Sequence, residues 1–168
     1  MMNMNFLAIL VSAAVPMIIG MIWYNPKVLG TAWMKEAGLT EVQLRAGNMA
    51  VIFSVSIFLS FLLAMSLQFN VIHQFHITSA FFDFQEQIKD AATPEGSIYK
   101  STMDLVGLGH RTFKHGALHG TMTGLLFVTP IIGINSMFER KSFKYVAIHC
   151  GFWIICLAIM GGILSAWM

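Results

Sequence analysis

Histidines are the residues in this sequence best suited to chemistry. His73 and His76 stand three apart and His115 and His119 four apart, so on a helix each pair turns both imidazoles to one side. Two such pairs on facing helices could hold a first-row transition metal, because neutral imidazole nitrogen is a common ligand for such ions. One histidine from each helix could instead supply the axial ligands of a haem. A string of imidazoles could also relay or sense protons. Against these stands a plainer alternative, half-polar rings resting at a membrane surface and bonded to backbone or water. Spacing alone does not choose. No cysteine adjoins the four histidines, and Asp83 and Glu86 are the nearest carboxylates along the chain.

A second pattern runs beside the second histidine pair. Gly116, Gly120 and Gly124 recur every four residues and share one helical stripe, with His115, His119 and Thr123 on the stripe next to it. Glycines at this spacing let two helix axes approach closely, so that dispersion and backbone contacts replace the hydrophobic drive that lipid removes. The expected use is packing against another span of the same chain; dimerisation or a partner protein is the alternative.

The elements that must carry these side chains follow from the solvent. Of 168 residues, 57% are hydrophobic and only 11% charged, against roughly a quarter charged in soluble domains. The mean hydropathy is +0.71. Lipid is therefore the expected surroundings of most of the chain. Apolar runs at about 6–24, 48–70, 115–138 and 145–167 are each long enough to cross about 30 Å of hydrocarbon. The first has no basic segment before it and is too long for a signal peptide. The fold class expected is all-α: one domain, 1–168, an integral membrane four-helix bundle with a short interfacial helix and a small polar helical cap between spans two and three.

Between the spans the pattern is equally readable. Lys27 to Gly38 predicts a short helix at the membrane surface, with Gly38 as its C-cap. Thr40 and Gln43 form a capping box that should start the next helix. That helix is expected to run through the bilayer and on through His73 and His76. The polar stretch 83–114 predicts a helix over Gln85–Asp90, a turn at Thr93–Gly96 and a second helix capped by Ser97 and running to Leu108. Pro130 and Gly133 are the expected kink points of the third span. Trp23, Tyr24, Trp33 and Trp167 read as interfacial anchors, and Gln68 and Asn135 as polar groups bonding across helices.

Alternating spans put His73, His76, His110, His115 and His119 on one membrane face. His149 lies early in the fourth span, on the order of 15 Å or more from His119 along the normal at about 1.5 Å rise per residue, and is left out. Basic residues set the orientation. Lys27, Lys35 and Arg45 follow the first span and Arg140, Lys141 and Lys144 the third, whereas Lys89, Lys100, Arg111 and Lys114 are spread over the longer opposite segment. The short loops are expected in the cytoplasm and both termini outside.

Several classes find no support. A net charge of +2 without a basic patch argues against nucleic acid. Cys150 and Cys156 face different sides of one helix, which argues against a disulfide framework. No phosphate-binding glycine loop, Gly-x-Ser-x-Gly elbow or His-Glu-x-x-His motif occurs, so no catalytic residue is assigned. No acidic residue in the spans marks an ion path.

Trp23-Tyr24-Asn25-Pro26, with Gly30 and Trp33-Met34, joins His119-Gly120, Pro130, Phe138-Glu139-Arg140 and Met160-Gly161 with Trp167 in a set. That set resembles a bacterial family of small membrane proteins, domain of unknown function 1761. The resemblance covers nearly the whole chain and implies four membrane helices in one domain of an inner membrane. It carries over no activity. Three functions stay open: a non-enzymatic accessory subunit that packs against another membrane protein or itself; a metal- or haem-binding protein using His73, His76, His115 and His119; and a bundle binding a lipid or small molecule near the third helix.

Overall fold

The computed structural model describes residues 4–168. Four of its helices are long and apolar enough to cross a membrane: Phe6–Trp23, Met49–Val71, Phe113–Phe138 and Phe143–Ala166. The described residues contain no strand, so the fold is an all-α bundle.

The first span, α1 (Phe6–Trp23), is capped by Asn5, whose side chain accepts from the Ala8 amide at 3.0 Å. Pro16 lies buried within it. A wide π-turn over Pro26–Gly30 leads directly into α2 (Thr31–Ala37), and Gly38 ends that helix at φ 73°, a backbone conformation only glycine adopts freely. The Thr40–Gln43 capping box is present, but it opens only the five-residue α3 (Glu41–Arg45). The second span, α4 (Met49–Val71), starts afresh from its own cap, Asn48.

The second span does not continue through the histidines. Ile72 takes φ −114° and ψ 99°, and α5 (His73–Ala80) begins after it. Val71 and Ile72 are β-branched neighbours with low helix propensity, and both are buried, so packing holds the break where propensity permits it. The polar segment also departs from expectation. Only Gln87–Lys89 forms a short 3₁₀ turn in place of a helix over Gln85–Asp90, and α6 (Pro94–Val106) is capped by Thr93 rather than Ser97 and stops before Leu108. Pro94 explains the shift, because its fixed φ and missing N–H suit the first helical turn.

The third span consists of α7 (Phe113–Thr123), a π-turn over Gly124–Val128 and α8 (Thr129–Phe138). Its irregularity sits before Pro130, and Gly133 lies in regular helix. Pro130 cannot donate, and its ring crowds the carbonyl four residues back, so the turn ahead of it opens. The fourth span, α9 (Phe143–Ala166), is capped by Ser142. It is the centre of the bundle, packing along α7 most extensively and also against α1 and α4. Ile9, Leu67, Leu157, Met160 and Cys156 form the sealed core. Phe58, Leu59, Leu126, Phe127 and Ile134 point outward, where only lipid would cover them.

Candidate metal site

The end of α4, the start of α7 and the end of α9 meet at one end of the bundle, and each is held there by a local device. Thr112 caps α7, accepting from the His115 amide at 3.2 Å. Arg111 donates from Nε to the Ser165 carbonyl at 2.6 Å and from Nη2 to the carbonyls of Leu164 at 3.4 Å and Trp167 at 3.1 Å. These are carbonyls at the exposed end of α9 that have no helical donor, and a cation suits the negative end of the helix dipole. Ser165 Oγ donates to the His110 carbonyl at 3.2 Å. The turn before α7 is thus riveted to α9.

The glycine stripe fixes α7 against the same helix. A Cβ on Gly116 would lie 2.7 Å from the Gly161 carbonyl carbon, and one on Gly120 would lie 2.6 Å from that of Leu157. On Gly124 it would meet the Ile154 Cα at 2.9 Å. All are well inside ordinary contact of about 3.5–4.0 Å. The close approach that the stripe allows is therefore made within the chain, to α9.

On the face of α7 turned to α5, three imidazoles converge. His73 Nε2 is 2.7 Å from His115 Nε2, which is 3.1 Å from His119 Nε2. One coordinating nitrogen from each ring lies within 4.8 Å of the others. The three rings are half-buried. His73 is held below the usual histidine range, chiefly by burial and then by repulsion from His119, His115, His110 and His76, so its neutral, metal-ligating form is favoured.

This is an awkward arrangement for hydrogen bonds alone. His115 Nε2 carries either one hydrogen or one in-plane lone pair, and a single hydrogen can serve only one of its two close neighbours. Three convergent nitrogens are, however, what a cation requires. At a metal–nitrogen distance of about 2.0–2.1 Å, tetrahedral ligand atoms sit about 3.3 Å apart, longer than the two contacts of 2.7 and 3.1 Å here, so binding would spread the rings slightly. A haem fits less well, because it needs two ligands on opposite sides of a planar macrocycle and these rings aim at one point, with centroids 4.6–5.0 Å apart.

Of the four histidines singled out by spacing, three gather: His73, His115 and His119. His76 is exposed, and its ring centroid is 6.4 Å from that of His73. His110 stands closer, 5.4 Å from His73 and 4.9 Å from His115. Helical spacing had no means of finding it, since it sits in the turn that Arg111 and Ser165 pin to α9. His149 is elsewhere in the bundle: Tyr24 Oη lies 3.2 Å from its Nδ1, and the Tyr145 ring packs on it at 4.3 Å. Near it Trp23 Nε1 donates to the Ile148 carbonyl at 3.1 Å, and Tyr24 meets Trp33 edge-on at 5.1 Å. These three aromatics thus have partners inside the chain. Trp167 is partly exposed at the other end, and Gln68 donates weakly to the Met4 sulfur at 3.4 Å.

Fold and site together define a helical protein of membrane-spanning character with an imidazole cluster at one end of its bundle. Comparison with known families then places it. The chain belongs to the family described as a protein of unknown function (DUF1761), whose pattern matches residues 7–165, nearly its full length. No curated protein and no solved structure matches it.

Proposed function

We propose that this protein binds a divalent first-row transition metal through His73, His115 and His119, with His110 positioned to complete the set or leave a fourth position open. The observation that carries this reading is the convergence of three ring nitrogens from two helices on one point, where His115 Nε2 has one hydrogen or one in-plane lone pair for two close neighbours. Neutral imidazoles without thiolate or carboxylate suit zinc, copper, nickel, cobalt or iron. The accessory-subunit reading has less support, because the glycine stripe is packed against α9 and the remaining apolar faces are those that lipid covers.

We further propose a bacterial inner membrane as the location, with short loops in the cytoplasm and the histidine cluster outside. The basic residues after the first and third spans support this. Arg111, which counts on the opposite side, is used in capping α9.

The test is elemental analysis and visible spectroscopy of protein purified without a histidine tag, followed by cobalt titration. One metal per chain with tetrahedral cobalt absorption is expected, and no Soret band. Absence of stoichiometric metal, together with no cobalt spectrum, would refute the reading.

A further inference from the structure

A cavity of about 420 Å³ lies beside the histidine cluster, on the other side of the same two segments. Its apolar wall comes from Ala8 on α1, Ile72 at the helix break, Phe75 on α5 and Leu164 on α9. It is formed by α1, α4, the cap and α9. Four polar residues line it, Asn5, Gln68, Gln74 and Arg111; Asn5 accepts from the Ala8 amide and Gln68 donates to the Met4 sulfur, which leaves the unpartnered groups on Gln74 and Arg111. These two residues are the chain neighbours of His73 and His110.

Gln74 is only 3% exposed. Its Nε2 donates to the Gly107 carbonyl at 2.6 Å, while its Oε1 is buried without a partner. A buried acceptor in this state calls for a donor. Arg111 spends Nε and Nη2 on the end of α9, and among the described residues Nη1 has no hydrogen-bond partner. Neither does any carboxylate pair with it among the described residues. A half-buried cation compensated only by carbonyl dipoles favours an anionic oxygen. One ligand head answers both needs: a monoprotonated phosphate monoester, with an anionic oxygen for Arg111 and a P–OH hydrogen for Gln74, whereas an ionised carboxylate has no hydrogen to give. Apart from Asn5 and Gln68 the rest of the wall is apolar, and the volume lies at the small end of the range for ligand pockets, suited to a head and one chain.

We propose that this cavity binds a single-chain amphiphile with a phosphate monoester head, held between Arg111 and Gln74. The site is separate from the metal site and does not depend on it.

Native mass spectrometry of the full chain released from micelles tests this with dodecyl phosphate, dodecanoate and, as a charge control, dodecyltrimethylammonium. One saturable dodecyl phosphate per chain is expected, bound more tightly than dodecanoate, whose ionised head has no hydrogen for Gln74. Affinity should fall about tenfold or more in Arg111→Gln, since hydrogen bonds to charged groups are among the strong ones. That variant also loosens the end of α9, so Leu108→Trp serves beside it. Leu108 lines the cavity but is 62% exposed, and enlarging it obstructs the opening without entering the core. Loss of binding in Leu108→Trp with unchanged thermal unfolding supports the site. No saturable binding of dodecyl phosphate, equal binding of dodecanoate or of the cationic amphiphile, or full binding by Leu108→Trp would overturn it.

Discussion

Gly120→Ala is the sharpest test of how the bundle is held. The new methyl group would lie 2.6 Å from the Leu157 carbonyl carbon and 3.0 Å from the Ala158 nitrogen. Ordinary contact is about 3.5–4.0 Å, so α7 and α9 must separate by about 1 Å. Both obstacles are backbone, and no rotamer change relieves them. Overpacking of this kind costs about 1–3 kcal/mol, near the upper end when backbone must move, and alanine returns up to about 1 kcal/mol of helix propensity. A net loss of about 2 kcal/mol corresponds to about 4–8 °C in a chain of this size. Gly133→Ala is the matched control, since nothing lies within 4 Å of its added methyl group; it should unfold at the wild-type temperature or slightly above. Cys150 and Cys156 are free and buried, so a thiol-reactive fluorophore reports unfolding in detergent directly. If Gly120→Ala proves as stable as Gly133→Ala, the close packing of α7 on α9 is wrong.

Other outcomes follow from the site. His115→Ala should weaken zinc binding by more than about 100-fold, since even partners outside the ligand shell are worth about 10–100-fold; His76→Ala should bind as wild type, and competition with a chromophoric chelator separates the two. Metal-free protein should be less stable in acid. His73 titrates below its ordinary value of about 6.5, so below that pH the unfolded chain takes up more protons, and stability rises with pH towards about 6.5 and then levels off. Thermal unfolding across this window should show the slope, and His73→Gln should reduce it. Thr112→Ala removes the cap of α7 and should cost about 1 kcal/mol, read in the same thermal assay.

The sequence by itself determined the four spans and the all-α class. Run length and scarcity of charge are local properties, and a bilayer leaves an apolar run of some twenty residues little choice but helix. Of the caps named from sequence, Gly38 and the Thr40–Gln43 box are present, but the box opens only α3 and Thr93 replaces Ser97, because a cap acts within three residues of itself and does not fix how far its helix runs. Spacing also brought His115 and His119 to one face and put the glycines on the neighbouring stripe. Tertiary structure decided which histidines meet. The break at Ile72 depends on how Val71 and Ile72 are buried, and it makes His73 the first residue of a new helix while His76 is left exposed. His110, exposed, is brought beside the cluster by a turn that Arg111 and Ser165 tie to α9, more than fifty residues away along the chain. The cavity beside it is built from four segments remote in sequence. Periodicity reports which residues share a face; it carries no information about which faces meet.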